Sequence, residues 1–369
     1  GLGYYSVPMV PVIQRNVFEN PSWYTSYTPY QAEISQGRLE ALMNFQTMVA
    51  SLTGLPIANA SLLDEGTAAA EAMLMLFHAR SREQKKAGVS RFFVSQNALP
   101  QTIDVLRTRA EPQGIELVEG DEFDFVPDGT FFGMLLQYPT ATGAVEDYRD
   151  VVERAHAAGS RVVVAADILS LALLTPPGEW GADVAVGTPQ RFGIPMGFGG
   201  PAAAYFAARE EFKRELPGRI IGLSVDKNGR KALRMALQMR EQHIKREKAT
   251  SNICTASVLM AVMAGMYAVY YGPDGIKRMA RDTHAMAVTL SDSLTSLGYE
   301  QLNPCFFDTL LLRTGDRTER IREIAEAEGI NFLYVDEDKT GISLSQYTTL
   351  EDMNRIVYVF AAAQDVYRD

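Results

Sequence analysis

Cysteine, histidine and long apolar runs are scarce in this sequence, and each scarcity removes a class of function. The two cysteines, Cys254 and Cys305, lie far apart. They give no disulfide framework and no zinc spacing, which suits a reducing compartment. Four histidines, His78, His156, His243 and His284, form no metal motif. No apolar run reaches the ~18 residues of a membrane span, so no membrane partner is expected. Blocks of like charge are missing too. A net charge of −10 and a pI near 5.1 turn the chain away from nucleic acid. The opening GLGYYSVP has neither Met nor a basic amphipathic leader, so no targeting signal is expected and the chain reads as a trimmed piece. One further absence bears directly on chemistry: no lysine occurs between Lys86 and Lys213.

What is present is a packed globular protein. Hydrophobic residues make up 47% of 369 and charged residues 22%, enough for one large domain with a smaller one. Residues 1–35 are rich in Tyr, Pro and Asn. The prolines disfavour long regular elements, and the aromatics argue against disorder. This reads as an extended arm wrapping its own protein or a partner. Apolar spacing predicts a helix over Gln36–Leu52, stopped by Gly54, and a buried alanine-rich helix over Gly66–Arg80. Strands are expected at Arg91–Ser95, Ile115–Glu119, Phe131–Tyr138, Arg161–Ala166 and Ala182–Val186, with helices at Pro100–Ala110 and Val145–Ala158. That alternation predicts an α/β fold, a mostly parallel seven-stranded sheet with helices on both faces. Ala202–Ala208 returns without a helix and would be an antiparallel member. Ala232–Leu297 reads as helical, with breaks near Thr250–Ile253 and Gly272-Pro273. A small α+β domain follows from residue 298, so the expected division is 1–35, 36–297 and 298–369.

The candidate site follows from the sheet. Ligands of open parallel sheets collect at the carboxyl ends of the strands. Three features fall there: the turn Asp64-Glu65-Gly66-Thr67 opening the buried helix, Asp167 ending the strand RVVVAAD, and the loop GTPQRFGIPMGFGGP at 187–201. A pyridoxal-phosphate enzyme of the aspartate-aminotransferase type needs this layout. A helix N-terminus holds the phosphate, a carboxylate pairs with the pyridine nitrogen, and a lysine some twenty residues later carries the cofactor. Each part alone has an ordinary reading as well, Asp167 as a turn residue and Asp64 and Glu65 as helix caps. The chemistry is missing. Gln190 is not nucleophilic, and the guanidinium of Arg191 stays protonated. Two carboxylates would also repel a phosphate, at about 4 kcal/mol per unit-charge pair at 4 Å. A dinucleotide fingerprint at Gly197, Gly199 and Gly200 fails, because Pro201 follows where a helix must open.

The stretches 26–73, GADVAVGTPQRFGIPMGFGGP (181–201), PGRIIGLSVD (217–226) and ALRMALQMREQHIKREKATSNICTA (232–256) closely resemble the amino-terminal half of the P-proteins, the glycine decarboxylases of the glycine cleavage system. The similarity covers nearly the whole chain. It implies the type I pyridoxal-phosphate-transferase fold. It also implies two homologous halves, fused or separate, paired like aminotransferase subunits. The carboxyl-terminal half carries pyridoxal phosphate on a lysine, and laying its run over Gln190–Pro195 puts that lysine on Gln190. This chain then resembles the half without the lysine, with a vestigial pocket of Asp64, Glu65, Gly66, Thr67, Asp167 and Gln190, and no cofactor of its own is expected. The resemblance implies glycine decarboxylation with transfer of the aminomethyl group to the lipoyl arm of H-protein. The implied location is the bacterial cytoplasm, or the mitochondrial matrix in a eukaryote.

Two segments are candidates for completing the partner's site. The arm offers Tyr27, Thr28, Tyr30, Gln31, Glu33 and Ser35, dense in hydroxyl and amide groups; the plainer reading is interface packing. The helical stretch offers His243, as a proton carrier or a structural histidine, and Asn252 in the break beside it. A standalone interaction module with an empty pocket is the alternative from another functional class, and an independent pyridoxal-phosphate enzyme is a third.

Overall fold

The computed structural model describes residues 2–25, 28–237, 244, 246–249 and 257–364. Seven strands form the main sheet: β1 (Ile57–Ala58), β2 (Arg91–Ser95), β3 (Glu116–Gly120), β4 (Phe131–Tyr138), β5 (Arg161–Ala166), β6 (Val184–Gly187) and β7 (Tyr205–Ala208). Their spatial order is β1-β7-β6-β5-β4-β2-β3. β3, β2, β4, β5 and β6 are parallel, while β7 runs antiparallel between β6 and β1. The antiparallel return follows from the loop 188–204, which has no helix to carry the chain back across the sheet.

β4 is buried along its whole length, as expected for a strand covered on both faces. Its alternate residues divide between two layers. Leu135, with Val163 and Val184, faces α2 (Glu65–Ala79) and α4 (Pro100–Ala110). Met134 and Leu136, with Val162 and Val164, pack with Val151 and Ala155 of α5 (Arg149–Ala157). On the α5 face, α1 (Gln36–Thr53) lays Leu39, Leu42, Phe45 and Val49 against Met260, Ala264 and Tyr267 of α6 (Val258–Ser296). Between α2 and β2 lies the short α3 (Arg82–Lys86). The amino-terminal segment forms only helical turns, Pro11–Ile13 and Gln14–Phe18, and buries Val10, Ile13 and Val17 in the same core as α6.

Two expectations need correction. Helix α5 begins at Arg149 instead of Val145, because the Val145 amide donates to the Cys305 carbonyl and is held in a link between sheets. The helical reading of 232–297 also fails at its start. Lys231–Ala236 is β9, paired antiparallel with β8 (Ile220–Val225). The turn between them carries the signal that was passed over: Asn228-Gly229, with Gly229 at φ +78° and the Asp226 carboxylate accepting from the amides of Asn228 and Arg230. The break at Gly272-Pro273 is a kink in α6, where Gly272 has φ 65°.

A second, four-stranded antiparallel sheet follows: β10 (Glu300–Gln301), β11 (Thr309–Arg313), β12 (Leu333–Tyr334) and β13 (Lys339–Ser343), in the order β10-β11-β13-β12. Helices α7 (Thr318–Ala327) and α8 (Leu350–Ala362) and the end of α6 cover it, packing Leu290, Leu294, Ile321 and Phe360 with Leu312 of β11. Among the described residues no helix is long and apolar enough to cross a membrane.

Candidate functional site

The α2 N-terminus, the end of β5 and the loop after β6 converge on one pocket. Glu65, Asp167 and Thr188 line it together, with Gln137 from β4 and Thr140 just beyond that strand. The close approach is built into the backbone: a Cβ on Gly187 would lie 2.4 Å from the Ala166 carbonyl oxygen. Thr188 donates its hydroxyl to the Ala203 carbonyl at 3.0 Å and fixes the root of the loop.

The acidic turn works differently from the expectation. Asp64 is the N-cap of α2, accepting from the Thr67 amide at 2.8 Å, while the Thr67 hydroxyl accepts from the Asp64 amide at 3.3 Å. This capping box pairs the Thr67 and Asp64 amides within the chain itself. Glu65 is buried, and its Oε1 has no hydrogen-bond partner. Burial, reinforced by the Asp167 carboxylate, pushes its pKa up to about 8. It is then mostly a neutral acid near pH 7. Of the two expected repulsive charges, Asp64 remains; Glu65 obstructs by bulk.

Asp167 has two tasks. Its Oδ1 accepts from the Ser170 amide at 2.8 Å and caps the turn Ser170–Ala172. Its Oδ2 accepts from Nη1 of Arg191 at 3.2 Å. The same Nη1 donates to Asp308, the residue just before β11 of the second sheet. Arg191 is 1% exposed. Burial alone would lower its pKa, but the Asp167 and Asp308 carboxylates outweigh that and hold the guanidinium charged. The carboxylate that would balance a cofactor's ring nitrogen is already balanced by this chain's own arginine.

Gln190 is fully buried and faces a segment that sequence reasoning did not connect with the pocket. Its Nε2 donates to the Tyr5 carbonyl at 2.8 Å and to the Ile194 carbonyl at 2.6 Å, and its Oε1 accepts from the Tyr5 amide at 3.0 Å. The Tyr5 ring lies over the Arg191 guanidinium at 3.8 Å. Gly3 and Tyr5 form part of the wall, and the space left there is about 40 Å³. A neighbouring hollow beside Tyr4, Asp64 and Gly66 holds about 200 Å³. Sites for drug-sized ligands run to roughly 300–1,000 Å³.

Tyr5, Asp308 and the pairing role of Arg191 went unnoticed in the sequence. The usable signal was a charged Arg191 inside an otherwise apolar and glycine-rich loop, which demands a buried counter-ion. Of the other candidates, those among the described residues do not line this pocket. Tyr30 and Ser35 are buried at the base of the arm, where Ser35 accepts from Nη2 of Arg38 at 2.6 Å. Thr28, Gln31 and Glu33 are exposed. Tyr27, His243 and Asn252 lie outside the described residues.

Pyridoxal phosphate does not fit these residues. No amine stands at 190, the helix N-terminus is self-capped beside Asp64, Asp167 is paired, and the chain's own backbone fills the space.

The fold has a crystallographic counterpart. A glycine decarboxylase (P-protein) of the glycine cleavage system, in inhibitor-bound form, superposes with a TM-score of 0.89 at 35% identity, over 98% of this chain and 84% of that one. A cysteine desulfurase from Thermococcus onnurineus (14% identity, TM-score 0.62) shares the fold alone. In sequence, the glycine dehydrogenase (decarboxylating) of Flavobacterium johnsoniae is 59% identical over 363 residues, 98% of this chain but 38% of that protein. The Nostoc protein of the same name is 57% identical over 99% of this chain and 37% of its own length. The chain thus spans a little over a third of the curated relatives it matches. The family model for the glycine cleavage system P-protein matches residues 1–360, and the chain belongs to that family.

Proposed function

We propose that this chain is the lysine-free, amino-terminal half of a glycine decarboxylase, and that it acts by completing the site of a homologous half bearing pyridoxal phosphate. The observation that carries this reading is the continuous match to a little over a third of longer glycine dehydrogenases, with Gln190 and Arg191 turned to structural use. Glycine would bind on the partner half, and the aminomethyl group would pass from there to the lipoyl arm of H-protein. The alternative, a module using an open pocket for another ligand, has little support where about 40 Å³ remains. Exposure divides the arm candidates. Thr28, Gln31 and Glu33 are free to reach a partner, whereas Tyr30 and Ser35 hold the arm in place. Tyr27, His243 and Asn252 stay candidates on sequence grounds.

The test is reconstitution. The chain alone with pyridoxal phosphate should give no borohydride-trappable adduct in this pocket and no glycine–CO2 exchange. Exchange should appear with the remainder of the polypeptide and fall about tenfold or more in Glu33→Gln with assembly intact, as for loss of one charged hydrogen bond in a buried site. Exchange by the chain alone defeats the reading; unchanged exchange in Glu33→Gln removes the arm from it.

A further inference from the structure

We infer that the pocket is a peptide-binding socket whose ligand is this chain's own segment Leu2–Tyr5, and that Gln190 is its recognition residue. A primary amide is the neutral side chain that presents a donor and an acceptor side by side, matched to the N–H and C=O of one peptide residue. Gln190 makes that match with Tyr5, at 3.0 Å and 2.8 Å, as a neighbouring strand would. A lysine at 190 has three donors and no acceptor, and would leave the Tyr5 amide unpaired. The glutamine is therefore a gain of binding chemistry as well as a loss of a nucleophile.

Two further contacts read the segment's sequence. Arg191, pinned by Asp167 and Asp308, presents its flat face to the Tyr5 ring at 3.8 Å, so the socket prefers an aromatic residue there. Gln101 donates from Nε2 to the Leu2 carbonyl at 2.8 Å. Between them Gly3 sits at φ +79°, and a Cβ on it would lie 2.6 Å from Cδ1 of Leu99. The class of ligand is thus an extended peptide reading Gly-x-Tyr. Beyond the socket the chain continues into the core through Val7, Val10 and Ile13, so seating Tyr5 sets where the whole amino-terminal segment begins its path.

Amide hydrogen exchange on the full chain tests this. Gln190→Met keeps the side-chain length and removes both bonds to Tyr5. Exchange in residues 2–10 should accelerate on the order of tenfold or more, while Phe131–Tyr138 stays protected. Tyr5→Ala, which removes the ring from outside the core, should release the same residues. A synthetic peptide GLGYYSV, carrying a fluorophore, should then bind the Tyr5→Ala chain, and its Tyr-to-Ala version at the fifth position should bind at least tenfold more weakly. Unchanged exchange of residues 2–10 in Tyr5→Ala overturns the inference, whatever happens to the folding of Gln190→Met. Equal binding of the two peptides overturns it as well.

Discussion

Glu65 shows how the burial of a single residue has a measurable consequence. Its carboxyl is buried beside Asp167, and burial first, then that charge, raises its pKa from 4.5 to about 8. The unfolded chain releases this proton near 4.5, the folded chain only near 8. Between those values the folded state holds one more proton, so stability falls as pH rises. The contribution is fully present below pH 4.5 and lost through pH 8, on the order of 5 kcal/mol across the window. Glu65→Gln keeps the shape and abolishes the titration. Its urea midpoint should hold nearly level from pH 5 to about 8.5, where the parent chain declines; parallel declines would show that other groups dominate. At this scale the sequence was half legible. Asp64, Glu65, Asp167 and Gln190 could be picked out because a fold-type argument says where strand ends lie. Arg191–Asp308 and Gln190–Tyr5 could not, because each joins residues more than a hundred positions apart, and no local spacing encodes such a pair.

At the scale of elements, α1 shows a device that recurs in the pocket. Gln46 donates to the Ile221 carbonyl at 3.1 Å and accepts from the Ile221 amide at 2.8 Å. Gln36 does the same to Leu233, at 2.9 Å for both bonds. Two glutamines on one helix thus dock the β8–β9 hairpin, each serving as a short strand. Burial separates their worth: Gln46 is 7% exposed while Gln36 lies at the surface. Gln46→Leu should leave a buried peptide unpaired and cost about 2–3 kcal/mol. At about 2.1 cal/mol/K of unfolding entropy per residue, that corresponds to a melting temperature lower by roughly 3–4 °C for a chain of 369 residues. Gln36→Leu, whose partners can turn to water, should cost about 1 kcal/mol or less. Equal losses in thermal melts would refute the distinction. The main strands were legible because buried β-branched runs leave a strong pattern. The hairpin was not: KALRMA carries residues that favour helices, and its strand state is imposed by pairing with IIGLSV and by the glutamines.

At the scale of the molecule, the pocket lies where the two sheets are sewn together. Arg191 from the large sheet's loop holds Asp308, the Val145 amide donates to the Cys305 carbonyl, and Nδ2 of Asn303 donates to the Thr142 carbonyl at 3.1 Å. Gly143 is the tightest stitch. It has φ +90°, and a Cβ there would lie 2.3 Å from the Thr309 carbonyl oxygen. Backbone cannot move aside as a side chain can, so Gly143→Ala must part β11 from the loop after β4. The left-handed backbone costs about 1 kcal/mol for alanine, and the clash adds roughly 1–3 kcal/mol. Because Asp308 precedes Thr309, the same displacement pulls on Arg191, and through its face on Tyr5. The expected result is a joint one: a melting temperature lower by several degrees, with faster amide exchange both in Thr309–Arg313 and in residues 2–10. Loosening confined to Thr309–Arg313 would mean that the sheets and the amino-terminal segment are held independently, and that the pocket does not couple them.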